Sequence, residues 1–181
     1  MDIPGFDDPQ RRFLAATVGD VRIIDLYVPN GQSVGSDKYQ YKLDWLQQLT
    51  AFLQKELNTH PHLVVLGDFN IAPEEIDVYD PQQWAGQVLF SEPERAALRG
   101  IMAVGLSDCF RVIAPEDKSF TWWDYRLNAF KRNMGLRIDH ILASKSLAAQ
   151  CVKCLIDKAP RGGERPSDHV PVMAEFSLKK S

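Results

Sequence analysis

Apolar positions along the chain fall into short blocks of two kinds. Val21 to Val28 (VRIIDLYV) is rich in β-branched residues, too short and too apolar for a surface helix, and reads as a buried strand ending at the turn Pro29-Asn30-Gly31. Between residues 38 and 58, Leu43, Leu46, Leu49, Phe52, Leu53 and Leu57 recur with lysine and glutamine between them, the spacing of an amphipathic helix. Leu63 to Leu66 (LVVL) is a second buried strand that runs straight into Gly67-Asp68-Phe69-Asn70. Residues 73–90 lose all periodicity and collect proline, glycine and acids, which predicts a long loop or short helical turns of the kind more often functional than idle. Ser91-Glu92-Pro93-Glu94 has the spacing of a capping box and predicts a helix that stops near Gly105. Arg137 to Leu142 (RIDHIL) and Val170 to Phe176 (VPVMAEF) read as two further strands. Strand, helix and strand in succession predict a layered α/β core that presents polar residues where strands end.

The 181 residues, 45% hydrophobic and 25% charged, are consistent with one globular domain over 1–181, and the chain has neither internal repeats nor low-complexity segments. No run of about 18 apolar residues occurs, and the opening residues have neither the basic nor the apolar region of a signal peptide, so a membrane is not expected as a partner and the cytoplasm is the default location. Cys109, Cys151 and Cys154 are an odd set, which fits a reducing compartment. Cys151-Val152-Lys153-Cys154 lacks a second ligand pair for zinc and lies in a strand-like stretch where residues three apart face opposite ways; small half-buried thiols are expected there. A net charge of −3 argues against a global polyanion footprint, but the charge is uneven. Arg126, Lys131, Arg132 and Arg137 cluster without acids, and Glu74, Glu75, Asp77 and Asp80 without bases. Carboxylates for metal beside arginines for a polyanion would give this pattern, and so would ordinary solvated faces.

Several positions could carry chemistry. Asp68 and Asn70 stand two apart at a strand end, so in extended geometry they share a face; a carboxylate beside a carboxamide can bind a hard cation, orient water and contact a phosphate, and G-D-x-N is equally turn chemistry. Asp168-His169 precedes the last strand and could supply a metal ligand and a phosphate-contacting imidazole. Asp139 lies in an otherwise apolar strand, where an unpaired carboxylate would be costly, so it is expected to have a partner, for which an imidazolium would suit; the adjacent His140 reads as a core or edge histidine. Thr121-Trp122-Trp123-Asp124-Tyr125-Arg126 places three aromatics beside a guanidinium, the composition of a nucleic-acid contact loop, with Trp123 expected in the core and Trp122 exposed. Tyr27, at the end of the first strand, offers a phenol to a phosphate or to the core.

Taken in order, Leu26-Tyr27-Val28-Pro29-Asn30-Gly31, Gly67-Asp68-Phe69-Asn70, Phe120-Thr121-Trp122-Trp123-Asp124-Tyr125-Arg126, Arg137-Ile138-Asp139 and Ser167-Asp168-His169 resemble the successive motifs of the exonuclease III family, of the abasic endonuclease type. The similarity runs from Ile3-Pro4-Gly5-Phe6-Asp7-Asp8 to the final strand. The resemblance implies the endonuclease/exonuclease/phosphatase fold, a four-layered α/β/β/α sandwich of the α+β kind. It also implies Mg²⁺, with Mn²⁺ as an alternative, and duplex DNA with abasic sites or 3′ ends as the partner. On the same ground Asp68 would activate the attacking water, Asn70 would position it, and both would stand at the metal with Asp168. His169, oriented by Asp139, would donate to a non-bridging phosphate oxygen that Tyr27 also contacts. Trp122 and Arg126 would probe the DNA. The implied activities are 3′-to-5′ exonuclease and cleavage at abasic sites in base excision repair.

The family's opening Trp-Asn-Val-Asn-like and Gln-Glu-Thr-like motifs, the second carrying a metal-binding glutamate, are not in this sequence. The expectation is therefore a domain missing the family's first strands and helix, with weak or no activity alone. It would be a monomer if complete and able to self-associate through an open sheet edge if not. Two other readings are a phosphatase of the same superfamily, disfavoured by the W-W-D-Y-R loop, and a non-catalytic DNA-binding fragment.

Overall fold

The computed structural model describes residues 3, 6, 8 and 10–178; Pro4, Gly5 and Asp7 of the opening match lie outside the described residues. The strands and helices in chain order are β1 (Phe13–Val18), β2 (Val21–Tyr27), α1 (Asp37–Thr59), β3 (Leu63–Asp68), α2 (Pro81–Trp84), α3 (Glu92–Ala103), β4 (Leu106–Asp108), α4 (Cys109–Ile113), β5 (Asp139–Ser144), α5 (Lys145–Ala148), β6 (Cys151–Ile156) and β7 (Val172–Phe176). Alternation along β3 sets the layers. Leu63 and Val65 point into a core shared with Trp45, Leu46, Leu49 and Leu53 of α1, while Val64 points to the opposite face and packs with Cys151 and Cys154 of β6.

The main sheet has five strands in the order β1-β2-β3-β5-β4, with β2 and β3 parallel and the other pairs antiparallel. The parallel pair needs a crossover, and α1 supplies it. Ser36 caps α1 by accepting from the N–H of Tyr39, and α3 opens with the expected Ser91/Glu94 capping box. β6 and β7 form a second, two-stranded sheet that packs on the first through Val64, Ile141, Ala143 and the β6 cysteines. Among the described residues the layers are thus helices, a five-stranded sheet and a two-stranded sheet, whose outer face leaves Val152 and Met173 exposed.

Two expectations shift. The strand anticipated at Arg137 begins at Asp139, and the one anticipated at Val170 begins at Val172, because residues 136–138 and 168–170 are used to zip the Thr121–Trp123 segment between them. Cys151 and Cys154 do not face opposite ways: a register shift between Cys151 and Lys153 turns both inward beside Cys109, and all three thiols are free and buried. Burial first, and neighbouring sulfur second, push the Cys154 thiol up to about 12 and Cys109 also upward, so these are inert packing groups. No helix is long and apolar enough to cross a membrane among the described residues.

Candidate active site

The C-terminal ends of the parallel strands β2 and β3 bring Tyr27 and Asp68 side by side, as Cα partners in register. Gly67, at φ +130, is needed there: a Cβ would lie 2.0 Å from the carbonyl oxygen of Leu26. The chain then turns through Asn70 at φ 50, a left-handed conformation that asparagine tolerates. This turn folds Asn70 back onto Asp68. Its backbone N–H donates to Asp68 Oδ1 (2.8 Å), and its Nδ2 donates to Asp68 Oδ2 (3.0 Å) and to the carbonyl of Val28 (3.0 Å). Its Oδ1 accepts from Asn30 Nδ2 at 3.1 Å. Asn70 is buried and both hydrogens of its amide nitrogen are used, so in this arrangement it fixes the carboxylate beside it.

The other half of the site comes from the zipped segment. Thr121 Oγ1 accepts from the backbone N–H groups of Ile138 (3.0 Å) and Asp139 (3.1 Å), while Thr121 O accepts from Val170 N. That places Asp139, antiparallel partner of Asp68 across β3 and β5, opposite His169. Asp139 receives His169 Nδ1 at 2.9 and 3.1 Å, and the far ring nitrogen, Nε2, lies 4.0 Å from Asp68 Oδ2. Asp68, Asp139 and His169 form a group with ligand atoms all within 4.8 Å of one another.

Electrostatics follow from this crowding. Burial, then the charge of Asp139, pushes Asp68 up to about 7. Burial pulls His169 down, but Asp139, Asp68 and Asp168 outweigh it, so the imidazole is held above its usual range. Two carboxylates at this separation are short of positive charge, which a hard divalent cation with oxygen ligands would supply.

Asp168 stands beside this group rather than within it. Its Oδ2 accepts from Trp122 Nε1 at 2.9 Å. Trp122 is therefore half-buried, not freely exposed as expected, because its indole N–H is committed to that carboxylate and it bridges both Leu136 and His169. Trp123 is fully buried, as its alternation with Trp122 predicts. Trp122 also lines a cavity of about 500 Å³ with Tyr79, Trp84, Arg126 and Leu127. Arg126 is exposed, but its guanidinium is folded back on Asp124 in a forked pair. Tyr27 is half-exposed, and the Arg12 guanidinium lies 4.8 Å from the centre of its ring.

His140 is the core histidine expected. It is buried, donates from Nε2 to Ile71 O (2.8 Å) and presents Nδ1 to Arg137 at 3.1 Å, while burial and Arg137 hold it below its usual range. The sequence shows Asn30, Thr121 and Glu94 only as turn, motif and cap residues and gives Lys42 no role, whereas the structure has all four holding the segments around Asp68 and Asp139. A signal existed for Lys42: it sits in the buried stripe Tyr39, Lys42, Trp45, Leu46, Leu49 and Leu53 of α1, where an apolar residue belongs.

The sequence model of the Endonuclease/Exonuclease/phosphatase family matches residues 2–169. The chain belongs to this family. Within this endonuclease/exonuclease/phosphatase family, it is 36% identical to exodeoxyribonuclease III of Haemophilus influenzae over 94% of this chain and 68% of that protein. It is 31% identical to an exodeoxyribonuclease of Bacillus subtilis, over 91% of this chain and 64% of the relative. The family member thus spans about two thirds of the length of these relatives. Among solved structures, the 3′-5′ exonuclease NExo from Neisseria meningitidis superposes with a TM-score of 0.93 at 47% identity, covering 95% of this chain and 67% of that one. An AP endonuclease from Archaeoglobus fulgidus gives 0.90 at 40% identity, over 96% and 69%. The α+β fold is that of the family.

Proposed function

We propose that this chain carries the reaction centre of a Mg²⁺-dependent DNA phosphodiesterase, acting as a 3′-to-5′ exonuclease and abasic-site endonuclease in DNA repair. The observation that carries this reading is the close group of Asp68, Asp139 and His169, in which one carboxylate titrates near neutrality and another orients an imidazole. The names of the relatives agree: exodeoxyribonuclease III, a 3′-5′ exonuclease and an AP endonuclease. A further Neisseria NExo structure, 46% identical with a TM-score of 0.93, is described as a 3′ phosphatase bound to product DNA hairpin, which favours activity at 3′ ends.

In this reading Asp68, held at both oxygens by Asn70, accepts the proton of the attacking water. In its protonated form, which Asp139 favours, His169 donates from Nε2 to a non-bridging phosphate oxygen. Tyr27 contacts the same phosphate from the neighbouring strand. Mg²⁺, or Mn²⁺ in its place, would be held by Asp68 and Asp168, with the Asn70 amide beside it, and would neutralise charge on the phosphate and the leaving oxygen. Trp122, Arg126 and the aromatic cavity beside them receive the DNA at its abasic or terminal nucleotide. We place the enzyme in the cytoplasm, as a single domain.

The test is to incubate the chain with an abasic duplex and with a duplex carrying a recessed 3′ end, over a range of Mg²⁺ and Mn²⁺. Scission that requires the metal, is weak beside that of a full-length relative because the family's metal-binding glutamate is not in this sequence, and disappears with Asp68→Asn is expected. Binding without scission at every metal concentration would identify a DNA-binding fragment, and preference for a phosphoinositide over DNA would identify a phosphatase of the same fold; either result overturns the proposal.

A further inference from the structure

Beneath the Asp68–Asn70 turn lies a charge that neither the reaction nor ordinary packing calls for. Lys42, in the buried stripe of α1, has no exposed side-chain surface, and neither has its ion-pair partner Glu94. Lys42 Nζ donates to three acceptors: the backbone carbonyl of Asn70 (2.7 Å), the backbone carbonyl of Asn30 (3.1 Å) and Glu94 Oε1. An ammonium has three N–H donors, and all are used. Glu94 is equally occupied, taking the N–H groups of Leu89 (3.0 Å) and Ser91 (3.1 Å) and the Ser91 hydroxyl, which in turn meets Tyr39 Oη at 2.6 Å.

The two carbonyls that Lys42 grips belong to the two asparagines whose side chains meet over the site. Asn30 Nδ2 holds Asn70 Oδ1, and Asn70 holds both oxygens of Asp68. Hydrogen bonds joined through the residues Asn30 and Asn70 therefore link α1 to the carboxylate. The two turns they join have Asn70 at φ 50 and Gly31 at φ +91, left-handed conformations suited to asparagine and glycine. Gly31 lies directly on the lysine stem, where an added Cβ would stand 3.1 Å from Lys42 Cδ. An apolar side chain in this stripe would bury with less desolvation than an ion pair, so stability alone is a poor reason for a lysine here.

We propose that Lys42 is a positioning residue for the reaction centre: it locks the Asn30 and Asn70 turns together so that the Asn70 amide presents both Asp68 oxygens in one fixed orientation. The inference rests on the reading of Asp68 as the reacting carboxylate.

The experiment compares the protein with the neutral double variant Lys42→Met, Glu94→Gln, which removes both buried charges together. Three readouts are taken: thermal unfolding, the ¹⁵N-¹H signals of the Asn70 side-chain amide, and kcat and KM on abasic duplex. The expected result is a folded protein whose Asn70 amide signals shift and exchange faster with solvent, with kcat lower by roughly 10- to 100-fold and KM for DNA unchanged, since misplacement by a fraction of an ångström acts on the chemical step. A folded double variant with unaltered Asn70 signals and unaltered kcat would overturn the proposal. If the unaltered protein cuts no DNA, the proposed function fails, while the Asn70 signals still decide the role of Lys42. If the double variant does not fold, Asn30→Ala tests the same path from the exposed side. Loss of solvent protection at the Asn70 amide supports the path, and unchanged signals overturn it.

Discussion

His169 Nδ1 lies 2.9 Å from one oxygen of Asp139 and 3.1 Å from the other, with Nε2 left facing Asp68. The carboxylate therefore accepts from Nδ1–H and, by its charge, favours the imidazolium form in which Nε2 also carries a proton. Replacing Asp139 with Asn removes the charge that outweighs burial, so the His169 midpoint in an NMR titration should fall. Because the raised value is a property of the folded state, the stability it contributes is fully present below the usual imidazole range and is lost as pH rises through the His169 value. The unfolding difference between Asp139→Asn and the unaltered protein should accordingly narrow in alkaline buffer. Strand scission should fall roughly 100-fold if the imidazolium serves as a phosphate donor. An unchanged His169 midpoint would remove Asp139 from this role.

Asp68 carries the opposite kind of pH dependence from an ordinary surface acid. Its folded value of about 7 lies well above where it ionises in an unfolded chain. Between those two values the folded state keeps a proton that the unfolded state has released, so stability falls as pH rises and the penalty is complete above about pH 7. In metal-free buffer Asp68→Asn should melt higher than the unaltered protein at pH 8 and lose that advantage by about pH 4. The gain is on the order of 4 kcal/mol, less about 1 kcal/mol for a lost acceptor. Mg²⁺ should raise the melting temperature of the unaltered protein and leave the variant unmoved. Calorimetry at the two pH values, with and without metal, measures both effects.

Arg137 anchors the start of the strand that carries Asp139. Its Nε donates to Asp77 Oδ1 at 2.6 Å and its Nη1 to Asp108 Oδ2 at 2.8 Å, and the side chain is almost wholly buried. Arg111 joins Asp77 from the other side. Burial would raise Asp77, but the two arginines outweigh it and keep its carboxyl below the usual range. Arg137→Met leaves both buried carboxylates short of a partner, so unfolding in urea should show a loss of roughly 3–5 kcal/mol. The stability tied to Asp77 is present above the usual carboxylate range and is lost as pH falls through its depressed value, so the unaltered protein should resist acid further than the variant.

What could be seen in the sequence was whatever is local. The apolar run of β3, the stripe of α1 and the Ser91/Glu94 cap each depend on neighbours within a turn or two, and the structure has all three. Asp68 and Asn70 were legible as a pair two residues apart, but β3 ends at Asp68 and it is the left-handed turn at Asn70, not a shared strand face, that brings them together. The partner of Asp139 was anticipated as an imidazolium from the cost of burying a lone carboxylate, although His169 is 30 residues away. The ties that hold the turns were not legible. Lys42 meets Glu94 across 52 residues and Arg137 meets Asp77 across 60, so no periodicity links them. The Trp122 exposure was misjudged for the same reason, since its indole is drawn inward by Asp168, 46 residues on.

That last contact separates two roles for Trp122. As an aromatic surface in the cavity it would contact DNA, and as a hydrogen-bond donor to Asp168 it fixes the carboxylate proposed to face the metal. Trp122→Phe keeps an aromatic face but removes the N–H, leaving Asp168 free to rotate. A partner that orients a metal-facing carboxylate typically contributes about 10- to 100-fold in metal affinity. The variant should therefore need roughly that much more Mg²⁺ for half-maximal scission, while its affinity for abasic duplex in the absence of metal should change little. Trp122→Ala should lose both. If Trp122→Phe weakens metal-free DNA binding and leaves the Mg²⁺ requirement unchanged, the tryptophan acts on the nucleic acid alone and Asp168 keeps its orientation without it.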